Sequence, residues 1–203
     1  MFGSGGWSAS KVKPLLKMAI HRLQINSNKK SALMKQQKRE IAKLLAEQPV
    51  PKEEKARIRA EALIRDDNTV EAYEILQLEC ELIHQRIKLI DSTVHCPADM
   101  ASCIATVIYA ADRVEVPELN DIRKQFKAKY GKDFLNVAMT NAGGILNERV
   151  VAKLSVHPPT AILVNVSSQK WILIMLKPNT NYLLTCVLRF LIQIISLLVL
   201  YVF

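Results

Sequence analysis

An all-α fold is predicted, a long antiparallel helix hairpin with four shorter helices packed on it, and three observations predict it. Residues 11–47 contain no glycine and a single proline, so almost nothing interrupts a helix there. Apolar residues recur every three or four positions through two segments of nearly forty residues each. Residues 1–160 show neither an alternating strand pattern nor an internal repeat.

The first long helix carries Val12, Leu15, Leu16, Ala19, Ile20 and Leu23, then Leu33, Met34, Ile41, Leu44 and Leu45. With Ser10 as its N-cap, Pro14 falls near the first turn, where a missing N–H costs little. "EQPVPKEE" ends it at Pro49 and Pro51, and places Glu53 and Glu54 at the positive end of the next helix. That helix extends to about Asp91, with a seam at Ile58, Ala62, Thr69, Ala72, Leu76, Cys80, Ile83, Ile87 and Ile90. Ile64, Ile75, Leu78, Leu82 and Leu89 widen the seam. At roughly 1.5 Å per residue such a hairpin is about 55 Å long. If it turns near Pro49, residues whose numbers add to about 99 face each other, which puts Lys17 opposite Leu82.

The shorter helices follow. "PADMASCIATVIYAA" spaces Met100, Ile104, Val107, Ile108 and Ala111 for one buried face, and "PELNDIRKQFKAKYG" opens at Pro117 and stops at Gly131. "KDFLNVAMTNAGG" and "NERVVAKLSV" complete the set before Pro158 and Pro159. The domain boundary falls at 160/161. Residues 161–203 are a separate apolar tail, in which Tyr182 to Phe203 is long enough for a membrane anchor but contains Arg189. A core helix and an aggregation-prone segment are the other readings of the tail.

The chain carries a formal charge of +9, unevenly placed: ten basic and two acidic residues lie in 1–48, against seven and ten in 49–92. A basic first helix suits an acidic partner, either an anionic membrane or an acidic protein face. Lys11, Lys13, Lys17, Arg22, Lys29, Lys30, Lys35 and Lys38 form its candidate edge. Trp7 is the one aromatic near that edge, so nucleic acid is not an expected partner. Glu53, Arg57, Glu61 and Arg65 step by four and are spaced to pair along one ridge. From Asp66 to Gln85 there are six acids and no Lys or Arg, level with the basic half of the first helix. Those acids complement that helix internally, an external partner takes its outward cations, or both.

Catalysis has no visible apparatus. His21, His84, His95 and His157 lie in separate contexts, and no nucleophile or carboxylate stands at motif spacing from them. Cys80, Cys96, Cys103 and Cys186 include no Cys-x-x-Cys pair, so ordinary thiols are expected and neither a metal nor another cofactor. "NAGG" at 141–144 is a loop and not a phosphate cradle. The opening "MFGSGGWSASKVKP" has no apolar signal core, and Phe2 occupies the position where myristoylation needs glycine, so a cytoplasmic body is expected.

Several blocks together resemble a known family. "ARIRAEALIRDDNTVEAYEILQLECELIHQRIKLI", "CPADMASCIATVIYAADR", "PELNDIRKQFKAKYGKDF" and "NERVVAKLSV" with Pro158-Pro159 are similar, in order and spacing, to the Ist-one-like family of regulators of the Vps-four ATPase in the multivesicular-body pathway. The resemblance covers about residues 1–163. It implies an ESCRT-III-like fold and a non-enzymatic regulator and co-polymer of endosomal membrane remodelling. Implied partners are CHMP-one/Did-type ESCRT-III subunits, the disassembling AAA ATPase, the anionic endosomal membrane and further copies of such chains. Arg57, Arg59, Glu61, Arg65, Asp67, Glu71, Glu74 and Arg86 carry the family signature, as hairpin architecture more than as contact residues. Ala62 stands where the family usually has His. After the Pro-Pro step the family pattern continues into another short helix and a variable tail that often ends in an MIT-binding motif. From Val164 this chain reads differently, as a truncated or alternatively spliced ending would, and direct MIT-domain binding is then not expected. A tail-anchored membrane-surface protein is the competing expectation.

Overall fold

A computed structural model describes residues 6–46, 52–155, 159–160 and 163–167. The regular elements are α1 (Ala9–Ala46), α2 (Glu53–Gln85), α3 (Ile87–Ser92), α4 (Ala98–Ala110), α5 (Pro117–Thr140) and α6 (Glu148–Lys153). The expected turn at Pro49 and Pro51 lies outside the described residues. The chain forms two compact units. One takes in α1 up to Ser31 and the chain from Asn68 through α6; the other is built on Ala32–Asp67.

In the first unit the core is assembled around α4. Met100, Ile104, Ala105, Thr106, Val107, Ile108 and Ala110 are all buried, leaving only Ala98, Asp99 and Ser102 of this helix exposed. Val12, Leu16, Ala19 and Leu23 of α1 join Tyr73, Leu76, Cys80 and Ile83 of α2 and Leu119, Ile122 and Phe126 of α5 in the same apolar cluster. His84 of α2 faces Lys13 and Lys17 of α1, close to the expected register. Burial and those two lysines lower its pKa.

In the second unit Arg59 donates to Glu40 at 2.8 Å, a pair whose numbers add to 99, and Lys52 N–H donates to the Leu44 carbonyl at 3.0 Å. The seam here departs from expectation. Ala56, Ala60, Leu63 and Ile64 are buried, whereas Ile58 is 59% exposed and Ala62 is exposed. The buried line begins on small residues, which let neighbouring backbones approach closely. Leu33 is likewise exposed while Met34 beside it is buried. In the first unit Leu78 and Leu89 are exposed, so the expected widening of the seam narrows to Ile75 and Leu82, both half-buried.

Three boundaries also differ. The Ser8 carbonyl accepts from Lys11 and Val12 N–H at 3.1 Å, so α1 starts before Ser10 and Pro14 sits in its second turn. The second long helix is broken at Arg86 (φ −96°, ψ 12°), which separates α2 from α3. Hydrogen bonds from Arg86 N–H to Leu82 and from Ile90 N–H to Arg86 keep the break to a kink. Arg86 pairs with Asp99 of α4. The stop at Gly131 persists as an interruption inside α5, where φ is +86°, a conformation that a side chain would strain.

The start of α1 is held by an aromatic ladder. Trp7 packs on Phe126 at 5.4 Å between ring centroids, and Tyr130 and Phe134 continue the row at 6.1 and 5.3 Å. Trp7 Nε1–H donates to Asp91 at 2.7 Å, and Ser8 N–H donates to Gln125 at 3.0 Å.

An ion pair joins α1 to the start of α5. Arg22 reaches Glu118 through Nε, 2.8 Å from each carboxylate oxygen, and through a terminal nitrogen at 2.6 Å. Glu118 is buried in the first turn of α5, where the helix dipole also favours a negative charge. The hydrogen bond from Arg22 holds its carboxyl below the usual value, against the opposing pull of burial.

Two outcomes are expected. Ile104→Ala lowers unfolding stability by about 2–5 kcal/mol in urea titration, whereas Leu78→Ala changes it by about 0.5 kcal/mol or less; equal losses would contradict the assigned core. Because Glu118 has a depressed pKa, its contribution is present above the unfolded value of about 4.3 and lost as pH falls through the folded one. Melting curves from pH 6 to 2.5 should therefore show a shallower acid decline for Glu118→Gln than for the parent, and identical declines would remove this pair from the acid transition.

Candidate functional site: the outer face of the first helix

The α1 side chains that face away from the core include two large apolar ones. Met18 is 53% exposed and Ile25 50% exposed, two turns apart. Together with Lys17, His21, Arg22, Asn26 and Glu118 they line an open depression of about 380 Å³. Its wall is fixed by the Arg22–Glu118 pair and by Asn26 Nδ2–H, which donates to the Glu115 carbonyl at 3.2 Å. At 100° per residue, Lys11, Arg22 and Lys29 fall within about 50° of the Met18–Ile25 line on one side, and Lys17 and Lys13 lie about 90° and 130° round on the other.

The expected basic edge separates into three groups. Among the described residues, Lys11, Lys13, Lys17 and Lys29 are exposed and have no ion-pair partner. Arg22 is committed to Glu118 and supplies positioning more than free charge. In the second unit Lys35 is exposed and Lys38 half-buried, and in the first Lys30 is half-buried. The apolar pair at the centre was missing from the sequence reading. Its signal is the seven-residue interval between Met18 and Ile25, on the side opposite Val12, Leu16, Ala19 and Leu23.

Three of the signature residues bond to other elements: Arg59 to Glu40 of α1, Glu71 to α6 and Arg86 to Asp99 of α4. Arg57 pairs with Glu54, three residues before it, at 2.6 Å. Arg65 lies 4.0 Å from Glu61. Glu71 receives Arg149 and Lys153 of α6, both at 2.7 Å, and those two hydrogen bonds lower its pKa. This acid is therefore answered by α6 and not by the first helix. Glu74 and Asp67 are exposed.

Other candidate chemistry can be placed directly. Among the described residues no group of His, Cys, Asp and Glu is arranged to hold a metal ion. Burial raises the thiol pKa of Cys80, Cys96 and Cys103, which keeps them protonated. Trp7 is engaged with Phe126, Asp91 and the ammonium of Lys129, 4.9 Å from its ring, so it offers no free stacking platform. No described helix is long and apolar enough to cross a membrane, and Tyr182, Arg189 and Phe203 lie outside the described residues.

Known proteins share this arrangement. Residues 13–168 match the family described as "Ist1: Regulator of Vps4 activity in the MVB pathway". An IST1-like protein of Dictyostelium discoideum is 40% identical over 165 residues, covering 81% of this chain and 44% of its own length. Vacuolar protein sorting-associated protein IST1 of Saccharomyces cerevisiae is 33% identical over 165 residues, covering 77% of this chain and 54% of its own. The chain thus spans about half the length of these curated relatives. Among solved structures, the N-terminal domain of S. cerevisiae Ist1 in complex with the Did2 MIM motif superposes with a TM-score of 0.71 at 32% identity, covering 80% of this chain and 89% of that one. With an all-helical order, an antiparallel pairing of long helices and a family match over residues 13–168, this chain belongs to the Ist1 family of regulators of Vps4 activity in the multivesicular-body pathway.

Proposed function

We propose that this chain is a non-enzymatic ESCRT-III-associated assembly protein of endosomal sorting. Its helical domain, residues 1–160, binds a CHMP-one/Did-type subunit and through it modulates the disassembling AAA ATPase. The carrying observation is the outer face of α1: Met18 and Ile25, solvent-exposed in an open depression and bordered by unpaired lysines. Such a surface suits an amphipathic helix with acidic flanks, which buries its apolar anchors in the groove and sets its carboxylates against the rim. The solved relative that was crystallised with a Did2 MIM motif supports this class of ligand. The residues 161–203 are an appendage to that activity in this reading. Endosomal recruitment then follows from the partner, without an anchor in the helical domain.

Binding of a fluorescent peptide from the C-terminal helix of a Did-type subunit tests the assignment on the whole chain. Met18→Glu combined with Ile25→Glu should weaken binding at least about tenfold, as expected for removing central apolar anchors. Lys13→Glu with Lys17→Glu should weaken it mainly at low salt and flatten its salt dependence. Unchanged affinity in the Met18/Ile25 variant would place the partner on another face.

A further inference from the structure

Asn147 holds three elements of the first unit together. Its backbone N–H donates to Thr106 Oγ1 of α4 at 3.0 Å, and its Nδ2–H donates to Glu79 of α2 at 3.0 Å. Its Oδ1 accepts from Arg149 N–H at 3.1 Å and caps α6. The link that delivers it turns through Asn141, Gly143 and Gly144, all at positive φ, and Asn141 Oδ1 accepts from Leu146 N–H at 3.3 Å. The seat of α6 depends on this node, on the buried side chains of Val150 and Leu146, and on the pairs of Arg149 and Lys153 with Glu71.

Glu79 is the anomalous member. It is 8% exposed, and its second oxygen, Oε2, is buried without a hydrogen-bond partner. Among the described residues no cation pairs with it. Its own helix places Cys80 beside it, α4 brings Thr106 and Cys103, and the link brings Asn147. The basic residues of α6 are turned to Glu71, about two turns nearer the start of α2, and Lys153 also to Asn68. A carboxyl in this place is accommodated when Oε2 carries a proton and costs desolvation when it does not.

We infer that Glu79 is a protonation switch that sets how firmly α6 is docked. Neutral Glu79 keeps its bond to Asn147 and stays inside; ionised Glu79 seeks water, and the route is displacement of the link at Asn147. Undocking α6 uncovers the apolar patch around Val150 and frees Glu71, so a basic partner then meets Glu71, Glu74 and Glu81 on α2. Burial pushes the Glu79 carboxyl up to about 7, with only the Asn147 bond pulling the other way. Because the folded pKa lies above the unfolded one, the stabilisation is complete below about pH 4.3, declines as pH rises toward 7, and is gone above that.

Hydrogen exchange on the full chain, corrected for intrinsic rates, tests the switch at the α6 amides of Val151 to Lys153. Between pH 5.5 and 7.5 their protection should fall about tenfold or more in the parent and stay level in Glu79→Gln, which keeps the shape and the acceptor without the charge. His84, whose pKa is lowered by burial and by Lys13 and Lys17, is unaltered in that variant. Constant protection in the parent, or an equal fall in Glu79→Gln, would overturn the inference. Should Glu79→Gln fail to fold, carbon-13 titration of the parent's Glu79 carboxyl decides the matter: a midpoint above about 6 sustains the switch, and one near the ordinary 4.3 ends it.

Discussion

The first unit is organised by the need to enclose α4. Seven of its thirteen residues are buried, from Met100 to Ala110, and only Ala98, Asp99 and Ser102 are exposed. Such a helix is stable only if neighbours cover most of its surface. α1, α2 and α5 each contribute one apolar stripe to the cover, and Leu146 and Val150 close the part that remains. The polar group it carries inside, the Thr106 hydroxyl, donates to the Ser102 carbonyl and accepts from Asn147, so even this exception is satisfied within the enclosure. The Glu79 node belongs to the same constraint, because closing the apolar cover over Thr106 buries the carboxyl that meets Asn147.

Much of this cover could be read from residue spacing. Met100, Ile104, Val107, Ile108 and Ala111 are buried as their intervals require, and so are Ala72, Leu76, Cys80, Ile83, Ile87 and Ile90. The register near 99 is present in Arg59 and Glu40. Spacing misled where size and position disagreed. Ile58 looks like a seam residue by its hydrophobicity, but alanines at 56 and 60 hold the buried line. A helix face chosen by the largest side chains is rotated from one chosen by closest approach, and a one-dimensional pattern does not reveal the distance to a neighbour. The kink at Arg86 was hidden for a related reason: the apolar spacing continues through Ile87 and Ile90, and only the backbone angles register the break.

The candidate site was legible as charge and not as shape. A surplus of lysines on the first helix is plain from counting, yet which of them stay available depends on residues far along the chain. Arg22 is taken up by Glu118, 96 positions later. Conversely, Met18 and Ile25 look like further core residues when apolar positions are merely counted. Their exposure becomes evident once Val12, Leu16, Ala19 and Leu23 define the buried side, because residues 18 and 25 then fall roughly opposite.

The acidic run of α2 shows why a block of like charge need not be one functional feature. At 100° per residue the carboxylates of a single helix point in several directions. Glu71 turns to the basic side chains of α6, Glu74 to solvent, Glu79 into the protein, and Glu81 to Gln77 on its own helix. Their pKa values diverge accordingly, lowered at Glu71 by its cations and raised at Glu79 by burial. One stretch of acids thus fastens α6 from outside through pairs that salt screens and from inside through a carboxyl that protons control. Docking of α6 therefore responds to two independent solution variables through residues only eight positions apart.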